Sequence, residues 1–261
     1  MIVKAEDTLN EQIMDYLDEE KAMNLFIIGD IENFGYDTDF QDIWVDLGEK
    51  GEIQGILLRY FGNYLPYAKE EIDAAGFSEI IKDGPPLDML SGKKEIVDQF
   101  QPIFLFTSKK ELYFAELEEG TFTMKGLKRD DITYATVDDV DDIIVMHSSI
   151  KEFQRRESAR ESLIQTLTTQ TGRTYFIKKD GRMAASAATT AENSRSAMIV
   201  GVCTHVDYRQ QGLASRCTAV LCEDVLNEGK TLCLFYNNPR AGSIYKRIGF
   251  KDIGMWSMYS E

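Results

Sequence analysis

Residues 209–214 read Arg209-Gln210-Gln211-Gly212-Leu213-Ala214, and this short stretch decides the fold. It follows an apolar run, Met198-Ile199-Val200-Gly201-Val202-Cys203-Thr204, and opens a helix-patterned segment that ends near Gly229. The pattern predicts a strand, a tight turn and a helix. A glycine at such a turn lets backbone N–H groups approach a phosphate, and the helix N-terminus adds positive potential. The turn is therefore read as a seat for a phosphorylated ligand.

The helix itself carries no chemistry. Leu213, Cys217, Val220, Leu221 and Val225 keep helical spacing and form a core stripe, with Gly229 where a C-terminal cap belongs. Arg209, Gln210 and Gln211 place polar groups at its entrance. Other phosphate signatures are missing. No G-x-G-x-x-G follows a strand, and Gly84 and Gly92-Lys93 have neither the spacing nor the Ser/Thr of a P-loop. Alone, R-x-x-G-x-A arises by chance. Its companion lies about 25 residues on: Asn237-Asn238-Pro239-Arg240-Ala241-Gly242-Ser243-Ile244-Tyr245-Lys246-Arg247-Ile248-Gly249-Phe250. A proline near the start and a glycine at the end define a short helix with Tyr245 in its last turn.

Together these stretches resemble the GNAT superfamily of N-acetyltransferases. Its R/Q-x-x-G-x-G/A signature matches Arg209 to Ala214. Its second signature, N-x-x-A-x-x-L-Y-x-x-x-G-F, matches Asn238, Ala241, Tyr245, Gly249 and Phe250, with Ile244 for leucine. The lead-in Thr204-His205-Val206-Asp207-Tyr208-Arg209 is similar too, with Val206 where proline is common. The resemblance covers roughly residues 130–261. The N-terminal half shows neither signature and resembles the degenerate GNAT-like domain of tandem members. The implied fold is α/β (α+β), a mixed, mostly antiparallel sheet flanked by helices, present twice. The expected domains are residues 1–125 and the catalytic residues 130–261.

The resemblance implies acetyl-CoA, or another acyl-CoA, as cosubstrate. Its pyrophosphate would rest on the amides of Gln210, Gln211, Gly212, Leu213 and Ala214, beside Arg209, whose side chain reads equally as a solvated surface charge. The pantetheine arm would pair with the open edge of the Met198–Thr204 strand. Thr204 would hydrogen-bond the arm, Asn238 would contact it across the cleft, and the Val202 N–H would face the thioester carbonyl and hold the oxyanion. Tyr245 would protonate the leaving thiolate. The competing reading of Tyr245 is a packed aromatic with its hydroxyl at the surface.

The general base stays open. Glu152, Glu157 and Glu161 lie near the helix that lines the acceptor cleft in GNAT enzymes, and Glu192 lies just before the central strand. His147 suits a base by its intrinsic pKa, yet it follows the apolar face of its helix, where a satisfied, partly buried histidine is the favoured reading. His205 sits in a loop position, and ordered water is a further candidate.

Composition sets the frame. The 261 residues carry 44 acids against 29 bases, for a net charge of −15. Residues 1–130 hold 28 acids and 13 bases, and the remainder holds 16 of each. This asymmetry supports a two-part chain and argues against nucleic acid as a partner. An acidic domain suits a cationic amine or a basic protein, although solubility alone accounts for it. No apolar run reaches a membrane span, and the N-terminus lacks the pattern of a secretory signal, so a cytoplasmic location without membrane contact is expected. Two histidines (His147, His205) and four scattered cysteines (Cys203, Cys217, Cys222, Cys233) make a metal site hard to assemble. Cys217 and Cys222 read as buried free thiols.

Along the chain, helices are expected around Leu9–Leu17, 24–33, 70–82 and 93–100. Strands are expected at Ile43–Leu47 and Gln54–Tyr60, and a pair between Phe104 and Leu117. Apolar content drops around Glu118–Arg129, where the boundary falls. A similar order follows: a strand at Ile132–Thr136, a capping box at Thr136-Val137-Asp138-Asp139, helices to 147 and over 157–170, and a hairpin across Lys179-Asp180-Gly181. Next come the Met198 strand, the Gly212 helix, a strand at Thr231–Tyr236, a helix from Arg240 to Ile248 and final strands from Phe250 to Tyr259. The leading expectation is an acyl-CoA-dependent N-acetyltransferase acting on a small-molecule or peptide amine in a ternary complex. The alternatives are a CoA-binding pseudoenzyme that senses or scaffolds, and a tandem transferase using aminoacyl-tRNA. The intact CoA signatures and the acidic N-terminal half count against the second. A homodimer through the N-terminal domain is compatible with each.

Overall fold

The structure is a computed structural model that describes residues 1–150, 153 and 158–260. The chain repeats one order of elements twice. The first pass runs β1 (Ile2–Lys4), α1 (Asn10–Asp18), α2 (Leu25–Phe34), β2 (Gln41–Leu47), β3 (Ile53–Tyr60), β4 (Asn63–Tyr67), α3 (Ala74–Asp83), β5 (Met89–Lys93), α4 (Lys94–Val97) and β6 (Ser108–Leu117). The second runs β7 (Ile132–Tyr134), α5 (Val140–Ser148), α6 (Ala159–Thr169), β8 (Thr174–Lys179), β9 (Arg182–Thr190), β10 (Ser196–Thr204), α7 (Leu213–Asn227), β11 (Thr231–Tyr236), α8 (Pro239–Ile248) and β12 (Lys251–Ser260). No described helix is long and apolar enough to cross a membrane.

Packing divides the chain into two compact units that interleave in sequence. One contains Met1–Phe114, Phe235–Asn237 and Asp252–Glu261; the other contains Ala115–Leu234 and Asn238–Lys251. In the first, the strand order is β1-β2-β3-β4-β5-β12-β6. The chain's last strand pairs antiparallel with β5, Trp256 opposite Lys93 and Tyr259 opposite Leu90. Trp256 then packs at tilted and edge-on angles among Phe26, Phe114 and Phe235, and Tyr259 joins a core of Leu57, Tyr64, Phe77 and Phe100. In the second unit the order is β11-β10-β9-β8-β7, and α5 packs over Phe176, Met183 and Cys203.

Several elements differ from expectation for identifiable reasons. Strands β4 and β5 were not anticipated: β4 contains Pro66 and β5 contains Gly92, residues that weaken a strand reading. The expected strand pair between Phe104 and Leu117 is one continuous strand from Ser108, and the expected final strands are the single β12. The helix over 93–100 is a short α-turn followed by a tighter one. The capping box at Thr136 and Asp139 forms as read. All four cysteines are buried thiols outside any disulfide.

Helix α2 carries one costly residue. Asp30 is half-buried between the buried Gly29 and Ile31 of α2, and burial alone pushes its carboxyl up to about 7. A carboxyl with a raised folded-state value stabilises the fold only while protonated, so stability falls as pH rises from about 4 through about 7. Asp30→Asn is therefore expected to gain on the order of 2 kcal/mol at pH 8, the gain shrinking as pH falls toward 4. Denaturant unfolding at both pH values checks this; a pH-independent difference would place its origin elsewhere.

Candidate active site

Strands β10 and β11 run parallel and separate. Their register covers Ser196 opposite Thr231 to Met198 opposite Cys233 and goes no further, although β10 continues to Thr204 and β11 to Tyr236. On its other edge β10 pairs with β9, with a register shift between Val200 and Cys203. Val200 faces Ala188 and Cys203 faces Ser186, so Gly201 and Val202 together oppose Ala187. Such a bulge bends a strand and re-aims a residue. Gly201 makes it with a φ of 62°, in the left-handed region that glycine enters freely. Val202 and Thr204 are half-buried on this stretch, and Thr204 pairs with Ala185.

Beyond Thr204, a short turn over Val206–Tyr208 leads to the entrance of α7. Gln210 (φ 65°) and Gly212 (φ 71°) both adopt left-handed backbone conformations. Gly212 is the N-cap of α7, no side chain caps the helix, and its first turn contains no acid. Arg209, Gln210 and Gln211 are exposed, and the Arg209 Nε approaches the Thr204 carbonyl at 3.5 Å. Leu213 is buried in the core, and Ala214 is half-buried. The entrance therefore offers backbone N–H groups and positive helix potential without a resident carboxylate. The outer face of α7 anchors the incoming chain: Glu223 accepts from the Gly126 N–H at 2.8 Å, Arg129 pairs with Glu223 and Asp224, and Arg216 pairs with Asp131.

The second signature folds into α8. The Asn238 side chain accepts from the Arg240 N–H at 2.9 Å and caps the helix, with Pro239 in its first turn. Gly249 is obligatory: at φ 120°, a Cβ would lie 2.0 Å from the Thr121 carbonyl oxygen. Tyr245 is half-buried, edge-on to Phe250 at 6.0 Å. Burial, with a smaller contribution from Cys222, pushes its hydroxyl up to about 12. The phenol keeps its proton at neutral pH.

The base candidates separate. Glu192 is tied up: Arg173 pairs with it at 2.6 Å, Lys230 reaches it, and its side chain is 4% exposed. His205 caps the turn after β10, its Nδ1 accepting from the Asp207 N–H at 3.3 Å. Glu161 is exposed in the first turn of α6. Glu152 and Glu157 lie outside the described residues. His147 is half-buried at the end of α5, within 3.3 Å of the Ser186 hydroxyl. Ser186 lies fully buried on β9 and was missed at the sequence level, where a serine among alanines carries no signal.

The corresponding place in the first unit is closed. There β4 and β5 pair only at Asn63–Met89 and Tyr64–Leu90. Beyond that point Met23, Phe26 and Trp256 leave a cavity of about 10 Å³, room for one water. Glu20 bridges Tyr67 and Lys93 beside it. The entrance of α3 is filled as well, because the Asp73 carboxylate accepts from the Gly76 N–H at 2.9 Å.

Residues 163–259 match the family model of the GNAT acetyltransferase domain. Solved structures share the fold. A tandem GNAT protein from the clavulanic acid biosynthesis pathway is 13% identical, with a TM-score of 0.60 over 100% of this chain and 98% of that one. A GNAT-family acetyltransferase from Colwellia psychrerythraea is 12% identical, with a TM-score of 0.59 over 100% and 99%. A GCN5-related N-acetyltransferase from Kribbella flavida is 16% identical, with a TM-score of 0.56 over 79% and 86%. No curated protein matches the chain.

Proposed function

We propose that the chain transfers an acetyl or other acyl group from acyl-CoA to a primary amine of a small molecule or peptide, in a ternary complex. One observation carries this reading. β10 leaves β11 after Met198, then carries the Gly201–Val202 bulge and leads to the uncapped entrance of α7, in the order a long thioester cosubstrate needs. The residues fit acyl-CoA. The free edge of β10 suits an extended amide-bearing arm, and the amides from Gln210 to Ala214 suit a pyrophosphate. Bound acyl-CoA would supply the activated carbonyl. The chain's own residues would do the rest: the Val202 N–H would hold the oxyanion, and protonated Tyr245 would donate to the departing sulfur. Asn238 would meet the arm through its free amide, since its carbonyl oxygen caps α8.

The closed counterpart in the first unit sets the stoichiometry. Calorimetric titration with acetyl-CoA is expected to give one site per chain. Two equivalent sites would overturn the reading of the first unit, and no binding would overturn the proposed function.

A further inference from the structure

At the bulge of β10 a chain of polar contacts leads to His147. The Ser186 hydroxyl donates to the Gly201 carbonyl at 2.9 Å. His147 Nε2 lies 3.3 Å from the same hydroxyl, and the Cys203 thiol lies 3.4 Å from it. A hydroxyl has one hydrogen, and we assign it to the Gly201 carbonyl, the shortest of the three contacts and one that can only accept. Nε2 must then carry its own hydrogen and donate to Ser186, which leaves the basic lone pair on Nδ1. The ring is held flat against Phe153, centroids 4.7 Å apart and planes 8° from parallel. Its Cε1 lies 3.7 Å from the point where a Cβ on Gly201 would stand. The imidazole is thus held beside the residue preceding Val202, and this assignment places its hydrogen on Nε2.

Resting on the acyl-transfer reading, we propose that His147 Nδ1 accepts the proton given up by the acceptor amine, directly or through one water. The amine nitrogen bonds to the acyl carbon, the C–S bond breaks, one N–H proton passes to Nδ1, and the departing sulfur takes the Tyr245 proton. Exchange with solvent restores both side chains, so amine and thioester become amide and thiol. Protonation at Nδ1 leaves the Nε2–H bond to Ser186 in place and strengthens it. Burial lowers the ring's affinity for protons, which keeps it neutral and ready at pH 7. The ionisable group nearest along the contact chain is Cys203, across Ser186 on β10. The other charges on α5 and on elements packed around it are Asp138 and Asp139 in the preceding turn, Asp141 (paired with Arg160) and Asp142 (paired with Lys178) on α5, Arg160 and Glu161 on α6, Lys178 and Lys179 on β8, and Arg182 at the start of β9. Those at 151, 152 and 154–157 lie outside the described residues.

The chain has only two histidines, so nitrogen NMR can resolve both imidazoles, with His205→Asn assigning the signals. The expected result is an Nε2–H tautomer for His147, titrating below the ordinary histidine range. With an amine identified by free-thiol release, His147→Gln is expected to lower kcat by about 100-fold. It should erase the acid limb of the pH–rate profile and leave acetyl-CoA affinity within about twofold of wild type. An Nδ1–H tautomer overturns the inference even if the variant fails to fold. Unchanged turnover with the limb retained, in protein that binds acetyl-CoA, also overturns the inference and leaves the acyl-transfer reading standing. Wild-type protein that does not bind acetyl-CoA overturns that reading, and the inference with it.

Discussion

Gly212→Glu is expected to weaken acetyl-CoA binding by about 100-fold while the protein stays folded. The N-cap of α7 has open space where a side chain would begin, with no atom within 4 Å of a Cβ. A glutamate there disturbs no packing and meets mainly the backbone penalty of φ 71°, roughly 1–2 kcal/mol. Its carboxylate would stand at a helix entrance that has no acid in its first turn. Two charges about 5 Å apart at an effective dielectric near 20 repel by about 3 kcal/mol, which is two decades in Kd. Gly212→Asn separates charge from backbone, because asparagine tolerates the left-handed region and brings no charge; its affinity should stay within about threefold of wild type. Calorimetry on both variants decides, and equal affinity for wild type and the glutamate variant would remove the phosphate seat from α7.

Tyr245→Phe is expected to lower kcat by about 100- to 1,000-fold with acetyl-CoA affinity unchanged. The variant keeps the ring and its edge contact with Phe250, so stability should move little. The physical case rests on the hydroxyl. Burial holds it protonated up to about 12, so the acid form persists across the neutral range and its loss should slow turnover only as pH climbs toward that value. Steady-state kinetics with thiol detection separates the outcomes. Unchanged kcat would leave Tyr245 as a packing residue, and a raised Kd would place it in binding.

The two signatures were legible because each rests on local backbone demands. Gly212 and Gly249 occupy left-handed or crowded positions that other residues enter with strain, and Pro239 with Asn238 starts α8 through contacts two residues apart. Local demands leave local marks. Other parts of the site left none. Ser186 acts through Gly201, 15 positions away, and His147 lies 39 positions from Ser186. Glu192, a base candidate in the sequence, is held by Arg173, 19 positions away.

The sequence by itself determined the strand–turn–helix at Arg209–Ala214, the capped helix at Asn238–Phe250, the charge asymmetry between halves and the buried thiols. Each follows from neighbours a few residues apart or from composition. Tertiary structure alone decided where β10 and β11 part, that β12 completes the sheet of the first unit, and that Asp73 and the Phe26–Trp256 cluster close that unit's own cleft. These depend on pairing and packing between residues far apart in the chain, and no residue carries a local record of which distant strand it will meet.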